Sequence, residues 1–307
     1  MAGRRQLPTP PRLPAGRHHP RSRPRRPGRS IGRRSVSIRP LGLTISPLPQ
    51  ERNRMALTGL DHLIVMGEDL QSLIDQYRAL GFTVIPGGRH PWGTHNALIC
   101  LADGSYIELL AFWGHPPEGH RHIAHVEQGG GLVEFMLASD NIDADITAAG
   151  SNGIPYEPAQ AGARTRPDGA EVAWKNGLAQ WAPGMPHLIE DLTDRLLRVP
   201  DGPARQHDNG ITGITRLVLG VADLPTSSGR YCALLEQRPA NQDDNRAVFE
   251  IGAQQLELLR ASAADSPLAR QVESLGDSPF EVHVAGPDTR SIDPQQAGGV
   301  RIHIAAG

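Results

Sequence analysis

One short pattern occurs twice along the chain and restricts it to a small set of folds. It opens with an apolar strand, Gly59-Leu60-Asp61-His62-Leu63-Ile64-Val65. An amphipathic helix then leads to Leu80-Gly81-Phe82, and the unit closes on Tyr106-Ile107-Glu108-Leu109-Leu110. A weaker copy opens at Gly213-Ile214-Thr215-Arg216-Leu217-Val218-Leu219 and closes at Gln255-Leu256-Glu257-Leu258-Leu259. Internal similarity of this kind marks supersecondary units that stack around a shared core. In the first copy, His62 and Glu108 each stand amid apolar neighbours. Strand alternation commits each to one face of a sheet. Burial there without a partner is costly.

The elements between these strands follow from periodicity and punctuation. Leu70, Leu73, Ile74, Tyr77 and Leu80 share one helical face, with Glu68 and Asp69 suited to the helix start and Gly81 to its end. Strands are predicted over 60–66, 82–85, 97–101 and 105–112, with Asp103-Gly104 as a hairpin turn. A second unit begins at 132–137, continues through a helix over 142–149, and has strands at 171–174 and 187–190. Residues 198–212, rich in Pro, Gly and Asp, read as a linker. The third unit covers 214–259. A shortened fourth has strands at 280–284 and 299–304. The expected organisation is an N-terminal part of paired units, 55–197, and a second, degenerate half, 213–307.

Charge divides the chain differently. Residues 1–54 hold fourteen Arg, ten Pro and one acid, Glu51, leaving 17 Lys and Arg against 32 Asp and Glu in residues 55–307, a net of −15. The first segment has no apolar periodicity and is read as a disordered Arg/Pro-rich tail, or as sequence upstream of a true start at Met55. An acidic body argues against a nucleic-acid partner. No apolar run approaches a membrane span. Cys100 and Cys232 form no metal or redox spacing, so a cytoplasmic protein with free thiols is expected.

The repeated βαβββ pattern with His in its first strand and Glu in its last resembles the vicinal oxygen chelate superfamily. The strings Gly81-Phe82-Thr83-Val84, Gly87-Gly88-Arg89-His90-Pro91 and Gly93-Thr94-His95-Asn96-Ala97-Leu98 are similar to its glyoxalase-like domain proteins, as are Arg166-Pro167-Asp168-Gly169 and Leu188-Ile189-Glu190. The resemblance implies an α+β fold of paired units, related to glyoxalase and bleomycin-resistance proteins, whose sheets curl into a cup around the site. It also implies a divalent cation held by side chains from the first and last strands of two paired units.

Carried over position by position, the metal ligands are His62, Glu108 and Glu190, with Glu134 a ligand or general base. One imidazole and three carboxylates favour Mn²⁺, Fe²⁺ or Mg²⁺ over a His-rich Zn²⁺ site. In the alternative, no metal binds and Glu134 pairs with Arg89 or Arg164. The glycine-rich loop over 87–96 brings Arg89, His90, His95 and Asn96 forward as substrate-binding candidates. In the third and fourth units Arg216 faces Glu257 where a metal would sit, which makes that half structural. His115, His120, His122 and His125 read as a solvated loop.

The expected function is a metal-dependent lyase, isomerase or dioxygenase acting on a small oxygenated metabolite. The alternative is a metal-free protein of the same fold that sequesters a small molecule or antibiotic. Whether units pair within one chain or across a homodimer is open.

Overall fold

The computed structural model describes residues 57–90, 93–116, 118–166, 168–180 and 183–306. The predicted tail and the alternative start at Met55 lie outside them.

Two mixed sheets are built on one plan. The first contains β1 (Leu57–Met66), β2 (Ile85–Arg89), β3 (Thr94–Cys100), β4 (Tyr106–Phe112), β5 (Gly131–Ser139), β6 (Gln160–Thr165), β7 (Glu171–Gly177) and β8 (His187–Asp191), in the order β2-β3-β4-β1-β5-β8-β7-β6. At its centre β1 runs parallel to β4 and antiparallel to β5. The second contains β9 (Gly213–Val221), β10 (Asn241–Gln242), β11 (Arg246–Ile251), β12 (Gln254–Arg260), β13 (Ser278–Gly286), β14 (Arg290–Ile292) and β15 (Arg301–Ala306), ordered β10-β11-β12-β9-β13-β15-β14. There β9 is parallel to β12 and antiparallel to β13. The sequence repeat is therefore a repeat of pairing rules.

The helices are α1 (Leu70–Ala79), α2 (Ile123–Glu127), α3 (Ile142–Ser151), α4 (Arg195–Arg198), α5 (Leu224–Leu235) and α6 (Pro267–Leu275). α1 starts where the Asp69 side chain accepts from Ser72 N–H, and α5 starts alike at Asp223 and Thr226. A cap of this type contributes about 1 kcal/mol. Leu70, Leu73 and Tyr77 of α1 are buried. One apolar core runs from Leu63, Tyr77 and Leu109 through Leu217, Leu258 and Ile302, joining the outer faces of both sheets.

The opposite face of the first sheet curls on itself until its two outer strands, β2 and β6, meet. Two glycines permit the closeness inside. A Cβ on Gly87 would lie 1.9 Å from Asn96 Oδ1, and one on Gly162 would lie 2.7 Å from the Trp174 indole. The fourth unit is short because β13 passes to β14 and β15 without a long helix. Three helices went unread in the sequence, α2, α4 and α6, although Ser266 capping Ala269 N–H with Pro267 behind it is a recognisable start.

Candidate functional site

The curled sheet encloses a cavity of about 370 Å³ lined by side chains from β1, β3, β4, β5, β6, β7 and β8. Its apolar wall comprises Ile64, Leu98, Leu110, Met136, Trp174 and Ile189. The polar groups on the other walls include His62, His90, Asn96, Glu108, His122, Glu134, Arg164 and His187, together with Arg121 and Arg198.

His62 and Glu108 converge here. Both are buried, and His62 Nε2 lies 3.5 Å from Glu108 Oε2. His62 Nδ1 is 2.7 Å from Asp61 Oδ1, and the ring stacks on Tyr106 at a centroid distance of 4.4 Å. Asp61 is itself fixed by Arg198, whose guanidinium bonds both its oxygens at 2.8 and 2.9 Å, and by Arg195. Behind the wall, then, a carboxylate orients the imidazole and leaves Nε2 facing the cavity. Burial opposes the charge on His62, but the bonds to Asp61 and Glu108 outweigh it and raise its pKa. Burial likewise opposes ionisation of Glu108, yet the His62 contact prevails and its pKa falls to about 2. Asn96 Nδ2 donates to Glu108 Oε1 at 2.6 Å while its Oδ1 accepts from Gly88 N–H.

Glu134 enters from β5. Its Oε1 is 3.0 Å from His122 Nε2 and 3.3 Å from His187 Nε2, and Arg121 grips both its oxygens. Burial would raise its pKa, but His122 and His187 hold it well below the usual carboxylate range. Both ring nitrogens of buried His122 lack an aligned hydrogen bond, despite the short separation from Glu134. Neither Arg89 nor Arg164 pairs with Glu134. The Arg89 guanidinium lies 4.5 Å over the Trp113 ring.

Glu190 does not join this group. Along β8, His187 and Ile189 face the cavity, so Glu190 faces out, where its Oε2 accepts from Ile142 N–H at the start of α3. The β8 position at the cavity belongs to His187. Of the loop residues, His90 and Asn96 line the cavity. His95 lies between Thr94 and Asn96, both of which face inward, so it projects from the other side of β3. Pro91 and Trp92 lie outside the described residues.

Sequence reasoning missed His122, His187, Arg121 and Arg198. His122, expected in a solvated loop, is 3% exposed and lines the cavity from the start of α2. Arg198, expected in a linker, is buried beneath Asp61. In the second sheet Arg216 Nη1 does pair with Glu257 Oε2, at 2.9 Å.

By residue type the donors are ones a divalent cation takes. His62, Glu108, Glu134 and His187 come one each from the adjacent strands β1, β4, β5 and β8. They stand as two imidazole–carboxylate pairs, and among the described residues no three such groups close around a single point. Arg121, whose side chain is 51% exposed, occupies both oxygens of Glu134.

The comparisons bear on the fold. A hypothetical protein from Staphylococcus aureus superposes with a TM-score of 0.63 at 14% identity, covering 80% of this chain and 98% of that one. A triple mutant of 4-hydroxymandelate synthase from Streptomyces coelicolor does so with a TM-score of 0.52 at 11% identity, covering 76% and 72%. No curated protein matches the sequence. The model of the glyoxalase-like domain family matches residues 60–235, more than half of the chain, which therefore belongs to that family and to the vicinal oxygen chelate fold.

Proposed function

We propose that the cavity is the active site of a divalent-metal enzyme acting on a small oxygenated molecule, with His62, Glu108, Glu134 and His187 as ligands. The observation that carries this reading is the supply of one imidazole or carboxylate by each of four adjacent strands to a single concavity. A bound dication supplies Lewis acidity toward a ligand oxygen. The chain's own residues do the rest. Asp61 fixes the orientation of His62, and Asn96 does the same for Glu108. Glu134, gripped by Arg121 and beside His122 and His187, stays ionised and is a weak proton acceptor, which suits it to the ligand role. The apolar wall excludes water. Whether the reaction is lyase, isomerase or dioxygenase chemistry is set by the substrate, and the fold does not choose among them.

The test is titration of the full-length, chelator-treated protein with Mn²⁺, followed by the electron paramagnetic resonance signal of the free ion. One site per chain is expected, lost in His62→Ala and His187→Ala. Failure of the wild type to bind Mn²⁺, Fe²⁺ or Zn²⁺ would falsify the metal reading. One observation favours the second reading, a metal-free small-molecule binder. Arg121 already supplies a cation to Glu134.

A further inference from the structure

Three arginines line the cavity, and two are spent on carboxylates. Arg121 holds Glu134, and Arg198 holds Asp61 and Asp191. The third, Arg164 on β6, is 8% exposed and makes one hydrogen bond, from Nη1 to the carbonyl oxygen of Gly87 at 3.1 Å. It forms no ion pair among the described residues. A guanidinium has five donors in a flat fork matched to two oxygens. Burying that charge against one neutral acceptor is unfavourable unless something else enters the cavity to meet it. Burial depresses the Arg164 pKa, consistent with a cation lacking its counter-ion.

The surroundings define what that partner is. Arg164 stands near enough to His90 and Glu108 for their charges to interact. Burial keeps His90 toward its neutral form, so it does not compete for an anion. Trp174, Met136, Leu98 and Leu110 offer an apolar wall in the same cavity.

We propose that this cavity takes an amphipathic carboxylate, its acid group held by the Arg164 fork and its hydrocarbon body laid against Trp174 and its apolar neighbours. The inference deepens the reading of the cavity as the functional site but does not depend on the metal. Arg164 also clasps β6 to β2 through Gly87, so acid binding and closure of the sheet meet at one side chain.

The probes are phenylacetate and its uncharged analogue phenylacetamide, titrated calorimetrically into the full-length protein. The acid should bind about tenfold or more tightly than the amide, the usual worth of a hydrogen-bonded charge. Arg164→Gln should abolish that preference, and Arg164→Lys, which keeps charge without the fork, should retain part of it. A pure clasp gives the opposite pattern: a lower melting temperature in Arg164→Gln with the acid-to-amide ratio unchanged, which overturns the proposal. Equal affinity for the two probes in the wild type, or binding of neither, overturns it without any variant. Should Mn²⁺ fail to bind while the acid preference persists, only the metal reading falls. If Mn²⁺ binds and the preference is absent, only this one does.

Discussion

At the scale of single residues, the site is a set of charges held in place by other charges. His62 is raised above its ordinary 6.5, so the stability it draws from Asp61 and Glu108 is complete below 6.5 and is lost as pH rises through its folded pKa. Glu108 is lowered from 4.5 to about 2, so its contribution is complete above 4.5 and is lost as pH falls toward 2. The pair is therefore strongest between those limits. In melting curves across pH, Glu108→Gln should flatten the acid limb and His62→Ala the alkaline limb, the former by roughly 2–4 kcal/mol. A metal must displace the His62 proton. Apparent Mn²⁺ affinity should accordingly rise with pH above 6.5, with proton release seen as a buffer-dependent binding enthalpy. A pH-independent affinity would count against His62 as a ligand. Beneath this pair, Arg198→Leu leaves Asp61 buried with His62 and Arg195 as its remaining partners. Removing one side of a buried ion pair costs about 3 kcal/mol or more, measurable by urea unfolding.

At the scale of elements, legibility in the sequence depended on strand phase. β4 could be phased because Glu108 is the lone charged residue of an apolar run, and β1, where Asp61 and His62 occupy opposite parities, was phased on His62 by the family resemblance. The structure puts both on the cavity face. β8 could not. In His187-Leu188-Ile189-Glu190 a polar residue stands on each parity, and one step exchanges the faces. The pairing Met136 with His187 fixes the phase, and that partner is not local. The same holds for Arg198 and His122, which lie in segments without periodicity and are buried by groups that arrive from elsewhere in the chain. The phase assignment is directly testable. His187→Ala should lose the Mn²⁺ site, as removal of a ligand does. Glu190→Ala should leave binding intact and lower stability by about 1 kcal/mol through the lost hydrogen bond from Ile142 N–H. Reversal of those two results would put Glu190, not His187, at the ion.

At the scale of the whole molecule, the second sheet departs from the donor set of the first: Arg216 and Arg246 both pair with Glu257, while His283 and His303 meet Glu281. Its contribution is support. Leu60 N–H donates to Gln254 Oε1 at 3.2 Å, one residue from the strand position that orients His62. Tyr77 Oη donates to the Ala297 carbonyl, Tyr231 Oη to that of Gly184, and Asp103 accepts from Ile214 N–H. The apolar core crosses between the sheets without a break. Such continuity predicts one cooperative transition in which the halves melt together. A fragment ending at residue 212 would expose Leu63, Leu109 and Tyr77 to water, each worth about 1.5–3 kcal/mol of burial, and should show neither dispersed amide resonances nor metal binding. Tyr77→Phe in the intact chain removes a single bond between the halves and should cost about 1 kcal/mol, lowering the midpoint without splitting the transition. Two separate transitions in either protein would mean that the second sheet is an appended domain, and that the cavity's geometry is held by the first sheet alone.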